Sequence, residues 1–306
     1  MMNKINGLNF FLNVLKRKLF KFSIKSSAPF FLNFKDHISE ERMVNGVHDE
    51  DLVNSIILFN KKGYSDFFID IGANIGLVSC SVGMNFKRIF CYEPNSLIFK
   101  ILEVNIKSFL NDNDVLLNNF ALGKKNQKAM LYIPKLNWGG AFIINEDQNY
   151  SKKLLSNKDG YKNFNKKNYL LQKIFIKQTT KVFNKLFTSK IKKKEKGIIK
   201  IDAEGMDLVI LKDILSSNVN VSNLIIIFEN FSSKIELKEI INPLIKKLYF
   251  YKIERNRKIG KFPFKIYSWI LMIIFGSKMI ISQVKDINNL QGNIIISTEN
   301  YKDKLK

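Results

Sequence analysis

Phe67-Phe68-Ile69-Asp70-Ile71-Gly72-Ala73-Asn74-Ile75-Gly76 carries a short apolar, β-prone run straight into a turn with two glycines and an asparagine. A run of this length and composition reads as a strand buried on both faces, and the turn after it as the first βα corner of a nucleotide-type α/β fold. Glycines at 72 and 76 let the backbone approach a ligand with no Cβ in the way, while Asp70 can hydrogen-bond a hydroxyl or an ammonium. Arg88-Ile89-Phe90-Cys91-Tyr92-Glu93-Pro94 is a second short apolar strand ending in a carboxylate. It falls about twenty residues on, where such folds hold a ribose 2′,3′-diol. The two segments together describe a nucleoside site.

A dinucleotide fingerprint places three glycines so that a helix N-terminus faces a pyrophosphate, and a phosphate-binding loop needs Gly-Lys-Ser or Gly-Lys-Thr. Neither pattern occurs at this corner. A strand ending in Asp and followed by Gly-Ala-Asn-x-Gly suits a nucleoside cofactor without phosphate, whose amino-acid tail offers an ammonium and a carboxylate. S-adenosylmethionine is such a cofactor. The expected contacts are Asp70, Gly72, Asn74 and Gly76 around its methionyl end, Glu93 on the ribose and the backbone near Ala121 by the adenine. In related folds an acidic residue often precedes that alanine; here Phe120 stands in its place.

Further along, Gly197-Ile198-Ile199-Lys200-Ile201-Asp202-Ala203-Glu204-Gly205-Met206-Asp207 is another apolar strand ending in paired carboxylates, and Leu224-Ile225-Ile226-Ile227-Phe228-Glu229-Asn230 repeats the design. With the segments at 69–76, 93–94, 121–123, 200–205 and 227–229 in this order, the chain resembles the FkbM-type family of S-adenosylmethionine-dependent methyltransferases. The likeness runs over roughly residues 46 to 254. It implies a Rossmann-like seven-stranded sheet with helices on both faces, and methylation of hydroxyl oxygens, often on sugars of surface glycans.

A chain of 306 residues buries one sizeable core. We therefore expect an N-terminal arm over 1–45 and one methyltransferase domain over 46–306, with insertions at about 124–196 and 255–290. The formal charge of +23 would ordinarily suggest nucleic acid or an anionic membrane. Yet arginine stands only at 17, 42, 88, 255 and 257, and the lysines come with heavy Asn, Ile and Phe usage, the skew an A+T-rich genome imposes. Nucleic-acid readers favour Arg for bidentate contact, so nucleic acid is not an expected partner. Cys80 and Cys91 read as buried thiols of a reducing compartment. His37 and His48 have no Cys or His partner nearby, and no metal is expected.

Leu8, Phe11, Leu12, Leu15, Leu19 and Phe22 share one helical face with Lys16, Arg17, Lys18 and Lys21 at its end. This basic amphipathic helix either packs on its own domain or docks on a membrane surface. Residues 49–59 and 96–108 have helical spacing. Residues 114–123 read as the third strand and its exit, 129–133 and 174–178 as two paired extra strands, and 181–187 as a returning helix. The polar segment 145–168 between them reads as a flap. Asn137-Trp138-Gly139-Gly140-Ala141 suits a loop over the active site, where an indole can stack on sugar C–H faces or simply anchor the flap. A helix over 235–248, a strand over 249–253 and a last, antiparallel strand over 293–297 complete the sheet. The apolar 262–281 run ends its uncharged part at Lys278, short of the roughly 18–20 residues that span a bilayer. It is buried, paired with another subunit or inserted in an interface.

Methyl transfer to a hydroxyl needs in-line alignment and a group to take the proton. Asp202 and Glu204 are the catalytic candidates, because ligands settle at the switch point between the first and fourth strands. Structurally they would instead bind the methionine ammonium and brace the next helix. Glu229 and His48 are weaker base candidates. The expected function is O-methylation of a sugar hydroxyl in glycan or glycolipid biosynthesis, by a cytoplasmic protein peripheral at the inner face of the membrane. The alternatives are a nucleic-acid methyltransferase, against which no Asn-Pro-Pro-Tyr-like clamp follows the fourth strand, and a non-catalytic membrane-associated binding protein.

Overall fold

The computed structural model describes residues 30–32, 39, 42–43, 47–110, 114–135, 137–144, 165–230, 248–256, 278–284 and 290–301. Helix α1 (Glu50–Lys61) opens at Asp49, whose carboxylate accepts from the Leu52 amide, with Glu50 and Asp51 in its first turn and Lys61 in its last. Caps and charges of these signs complement the helix dipole. Its buried Leu52, Val53, Ile56 and Phe59 recur at helical spacing and face the sheet.

Strand β1 (Phe67–Ile71) is followed by α2 (Leu77–Val82), β2 (Arg88–Tyr92), α3 (Ser96–Phe109) and β3 (Asp114–Asn118). An insertion carries β4 (Ala121–Gly123), β5 (Gln127–Pro134), β6 (Phe142–Ile143) and β7 (Tyr169–Gln178). The chain returns through α4 (Thr179–Ser189) to β8 (Gly197–Ile201), α5 (Asp207–Leu215) and β9 (Leu224–Asn230). Strands β10 (Tyr249–Asn256), β11 (Lys278–Val284) and β12 (Gly292–Ser297) close the order.

The main sheet has the order β11-β10-β12-β9-β8-β1-β2-β3. Its β3-β2-β1-β8-β9 half is parallel, while β12 and its neighbours pair antiparallel. Every residue of β1 and β8 is buried, which is why both read as unbroken apolar runs. Strand parity sorts them into two layers. Ile69, Ile71, Ile199 and Ile201 pack with α4 and α5, and Phe68 and Ile198 pack with α1 and α3.

The insertion is a second sheet of order β4-β7-β5-β6. Its inner face packs Ala121, Leu131, Ile133, Ile143, Ile174 and Ile176 into a small core of their own. Gln172 on β7 ties it to the main body, accepting from the Ser96 amide and donating to the Pro94 carbonyl.

The third strand and its exit lie within 114–123 as expected: β3 ends at Asn118, Asn119 donates to the Glu93 and Pro94 carbonyls, and β4 leaves for the second sheet. Two expectations are corrected. The main sheet has eight strands rather than seven, because residues 278–284, partly inside the 262–281 run, add β11 at the edge. The insertion is a four-stranded sheet rather than a hairpin, although the expected pairing of its two long strands is there. The amphipathic 8–22 helix, the 235–247 helix and residues 262–277 lie outside the described residues, as do 145–164 of the flap. From the N-terminal arm, Phe30 stacks on Phe109 and the Phe31 amide donates to Asn105, so residues 30–32 lie against α3. No helix among the described residues is long and apolar enough to cross a membrane.

Candidate active site

A cavity of about 260 Å³ lies at the carboxyl ends of β1, β2 and β8. Its floor is the glycine turn. The Gly72 and Ala73 amides both donate to the Tyr92 carbonyl and the Asp202 amide donates to the Ile71 carbonyl, stitching the turn to the strands on either side. Gly72 has φ 75°, and a Cβ there would lie 1.8 Å from the Asp202 carbonyl oxygen, so only glycine fits. Asn74 also sits in the left-handed region, at φ 52°. That bend aims its amide at Glu93 Oε2, 3.0 Å away, while the Asn95 amide donates to Oε1 at 2.8 Å.

Glu93 is buried on the cavity wall. Burial pushes its carboxyl up to about 7, against the opposing pull of the Asn95 and Asn74 amides and of Lys200. Each carboxylate oxygen has used one of its two lone-pair directions, leaving one apiece for a pair of donors. A ribose diol supplies such a pair. Tyr92 and Phe120 meet edge to face at 5.6 Å beside it, and Lys177 Nζ stands 3.8 Å over the Phe120 ring. Phe120 and Ala121 both line the cavity, giving an apolar slot where a base can lie.

Asp70 and Gly76, both expected at the cofactor, do not line the cavity. Asp70 is wholly buried, with Oδ1 3.0 Å from Lys200 Nζ and Oδ2 accepting from the Ser79 hydroxyl at 2.6 Å. Register explains it: Asp70 and Lys200 are direct partners across β1 and β8, so their side chains leave the same face together. Gly76 instead begins α2, where a Cβ would run into Leu102.

Lys200 reaches the cavity as well, which its setting in an apolar strand does not signal. Its ammonium also donates to the Gly72 carbonyl at 3.0 Å and pairs with Asp202 at 3.4 Å. Burial works against the charge, but Asp70 and Asp202 outweigh it and hold the group above the usual lysine range.

Asp202 and Glu204 line the cavity together, and so do His48 and Asp49 from the entry to α1. Asp49, at φ 47°, has its carboxyl raised chiefly by burial. Nothing in the sequence pattern marks His48-Asp49 as a pair at this site, because it precedes the first strand and belongs to no motif. Asp207 does not line the cavity. It accepts from the Ala203 amide at 2.9 Å and is pushed up to about 7 by burial, then by Asp202 and Glu204. Glu229 lies off the cavity wall.

Trp138 lines the cavity and packs against Ile75, Leu77 and Ile98. The Asn137 side chain, accepting from the Gly140 amide, fixes the turn that carries it. The thiols of Cys80 and Cys91 are both buried, and burial raises both. Among the described residues no cluster of His, Cys, Asp and Glu could hold a metal ion.

A parallel sheet of order 3-2-1-4-5 extended by antiparallel strands, with a glycine turn facing a carboxylate at the ends of the first two strands, defines the Rossmann-like methyltransferase class. The methyltransferase FkbM domain model matches residues 70–252, and the chain belongs to that family. The family's methyl donor is S-adenosylmethionine. None of the curated proteins compared matches the chain.

Among solved structures the chain is similar to an O-methyltransferase from Bacillus cereus in complex with S-adenosylhomocysteine, at 9% identity over 97% of this chain and 92% of that one, with a TM-score of 0.40. It is also similar to precorrin-6y C5,15-methyltransferase from Geobacter metallireducens, at 13% identity, 89% and 97% coverage and a TM-score of 0.38. An rRNA methylase from Streptococcus thermophilus matches at 8% identity, 81% and 95% coverage and 0.37. Likenesses at this level carry no argument about substrate.

Proposed function

We propose that this methyltransferase acts on a hydroxyl oxygen of a sugar in a surface glycan or glycolipid. One observation carries the reading: the carboxylates of Asp202 and Glu204 share a cavity with the glycine turn, with Glu93 and with the indole of Trp138. When bound, S-adenosylmethionine supplies an electrophilic methyl group on its sulfonium. Glu93 accepts from the ribose diol, and the close-approaching backbone of Gly72 and Asn74 leaves room for the methionyl end. Phe120 and the backbone at Ala121 flank the adenine. Asp202 or Glu204 accepts the proton of the acceptor hydroxyl and passes it to water. Trp138 offers an aromatic face to sugar C–H groups.

Transfer of label from S-adenosylmethionine to extracted surface glycans, with and without the protein, tests this. Incorporation into a glycan hydroxyl, released as a methyl ether sugar on hydrolysis, is the expected result. Label in RNA or DNA alone, or none in any glycan fraction, would overturn it.

A further inference from the structure

The second sheet turns Leu131, Ile133, Ile174 and Ile176 inward, and its opposite face carries a different chemistry. Register sets Lys128 beside Phe175 and Met130 beside Lys173. Leu171 and Lys177 fall on the same side of β7 by strand alternation. Phe175 is 59% exposed and Leu171 51%, on a central strand of regular sheet where apolar side chains are ordinarily covered. Strands β4, β5 and β7 contain no aspartate or glutamate, so nothing within them neutralises the three ammoniums.

We propose that this face, Lys128, Met130, Leu171, Lys173, Phe175 and Lys177, docks the protein on an anionic lipid bilayer. Along β7 the outward positions alternate Leu171, Lys173, Phe175, Lys177. Apolar tips can therefore enter the headgroup layer while ammoniums sit at the level of the phosphates. Lys128 Nζ stands 5.6 Å from the Phe175 ring, and a shallow open depression between Lys128, Phe175 and Lys177 can seat a phosphate.

A bilayer fits better than a polyanion. The outward positions of β5 and β7 carry no arginine, amide or carboxylate with which to read a base or a sugar edge. Because Lys177 also covers Phe120 of the cavity wall, the face runs up to the cofactor site. Docking here sets the cavity near the membrane whatever the acceptor is.

Flotation of the full chain with phosphatidylglycerol–phosphatidylcholine vesicles, and with phosphatidylcholine alone, tests the surface. Binding is expected to the anionic vesicles only and to weaken at high salt. A lysine near such a surface contributes roughly fivefold in partitioning, so Lys128→Gln/Lys173→Gln/Phe175→Ala should lose about twenty-fivefold or more. Unchanged melting and S-adenosylhomocysteine affinity report that the variant is folded. If melting falls, the milder Lys128→Gln/Lys173→Gln pair decides. Wild-type protein that ignores anionic vesicles, or variants that float as well as wild type, would overturn the proposal. So would loss of single-stranded oligonucleotide binding in the variants with vesicle binding intact, which would assign the face to nucleic acid.

Discussion

Glu93 should make cofactor affinity depend on pH in the neutral range. In the ligand-free chain burial holds its carboxyl up to about 7, and only the ionised form can accept from both hydroxyls of a ribose. The ionised fraction is about one tenth at pH 6 and about nine tenths at pH 8, so affinity for S-adenosylhomocysteine should rise about ninefold between them. Calorimetry at pH 6, 7 and 8 reads this directly. Repeating the pH 7 titration in two buffers of different ionisation enthalpy should reveal release of about half a proton per site. Glu93→Gln should flatten the profile and lose roughly 1.5–3 kcal/mol per charge-assisted hydrogen bond removed. A flat wild-type profile, or an unaltered slope in Glu93→Gln, would refute the assignment.

Stability should respond to pH with the opposite sign. Glu93 and Asp207 hold their protons to about 7 when folded, against 4.5 and 3.8 as ordinary values. Their contribution is therefore complete below pH 4 and is lost as pH rises to about 7. For Glu93 the loss is about 3 kcal/mol at most, and chemical denaturation of ligand-free protein at pH 5.5 and 8 checks the direction. Gly72→Ala should cost more than about 3 kcal/mol, since backbone must move, while Gly63→Ala, at φ 97° with open space around it, should cost about 1–2. Urea titration compares them. Lys200→Met strips the partner from buried Asp70 and should destabilise by about 3–5 kcal/mol, with Asp70→Asn/Lys200→Met recovering part of the loss; an additive double variant would deny the coupling. On an acceptor found by the labelling assay, Asp202→Asn or Glu204→Gln should lower kcat about a hundredfold or more with melting little changed, and wild-type rates in both would move the base elsewhere.

The elements that could be read from sequence are those whose burial is total. β1, β2, β8 and β9 are apolar runs stopped by a carboxylate or a turn, and no helical pattern competes with them. The misreadings all depended on partners in other strands. Asp70 looks like a ligand-binding acid when β1 is read alone; only the register with β8 puts Lys200 against it. What 114–123 does not show is that its exit becomes a strand of the second sheet, because the partner of β4 is β7, about fifty residues on. β11 was hidden because Lys278 follows a long apolar run, and its pairing with β10 is not written in either strand's alternation. Of the site, Glu93, the glycine turn and the Asp202–Glu204 pair are visible as motif and His48 as a lone base candidate; Asp49 and the reach of Lys200 into the cavity come from tertiary placement.

The position of β12 bears on how this protein is made. Ile294 pairs with Phe228 on one side and Lys252 on the other, so β12 fills the slot between β9 and β10. On the ribosome, β9 and β10 therefore both emerge long before the strand that joins them. A nascent chain reaching residue 256 carries an uncovered edge on each, with buried-type residues such as Ile226 and Tyr251 beside them. Such edges invite wrong pairing, and the non-local contact that cures them closes slowly. Synthesis of residues 292–297 is then the event that commits this part of the sheet, since only β12 pairs with both edges. A fragment cut at 70 and 252 would fare worse, because it loses Phe67–Ile69 of β1 and Ile253–Asn256 of β10 together with all of β11 and β12.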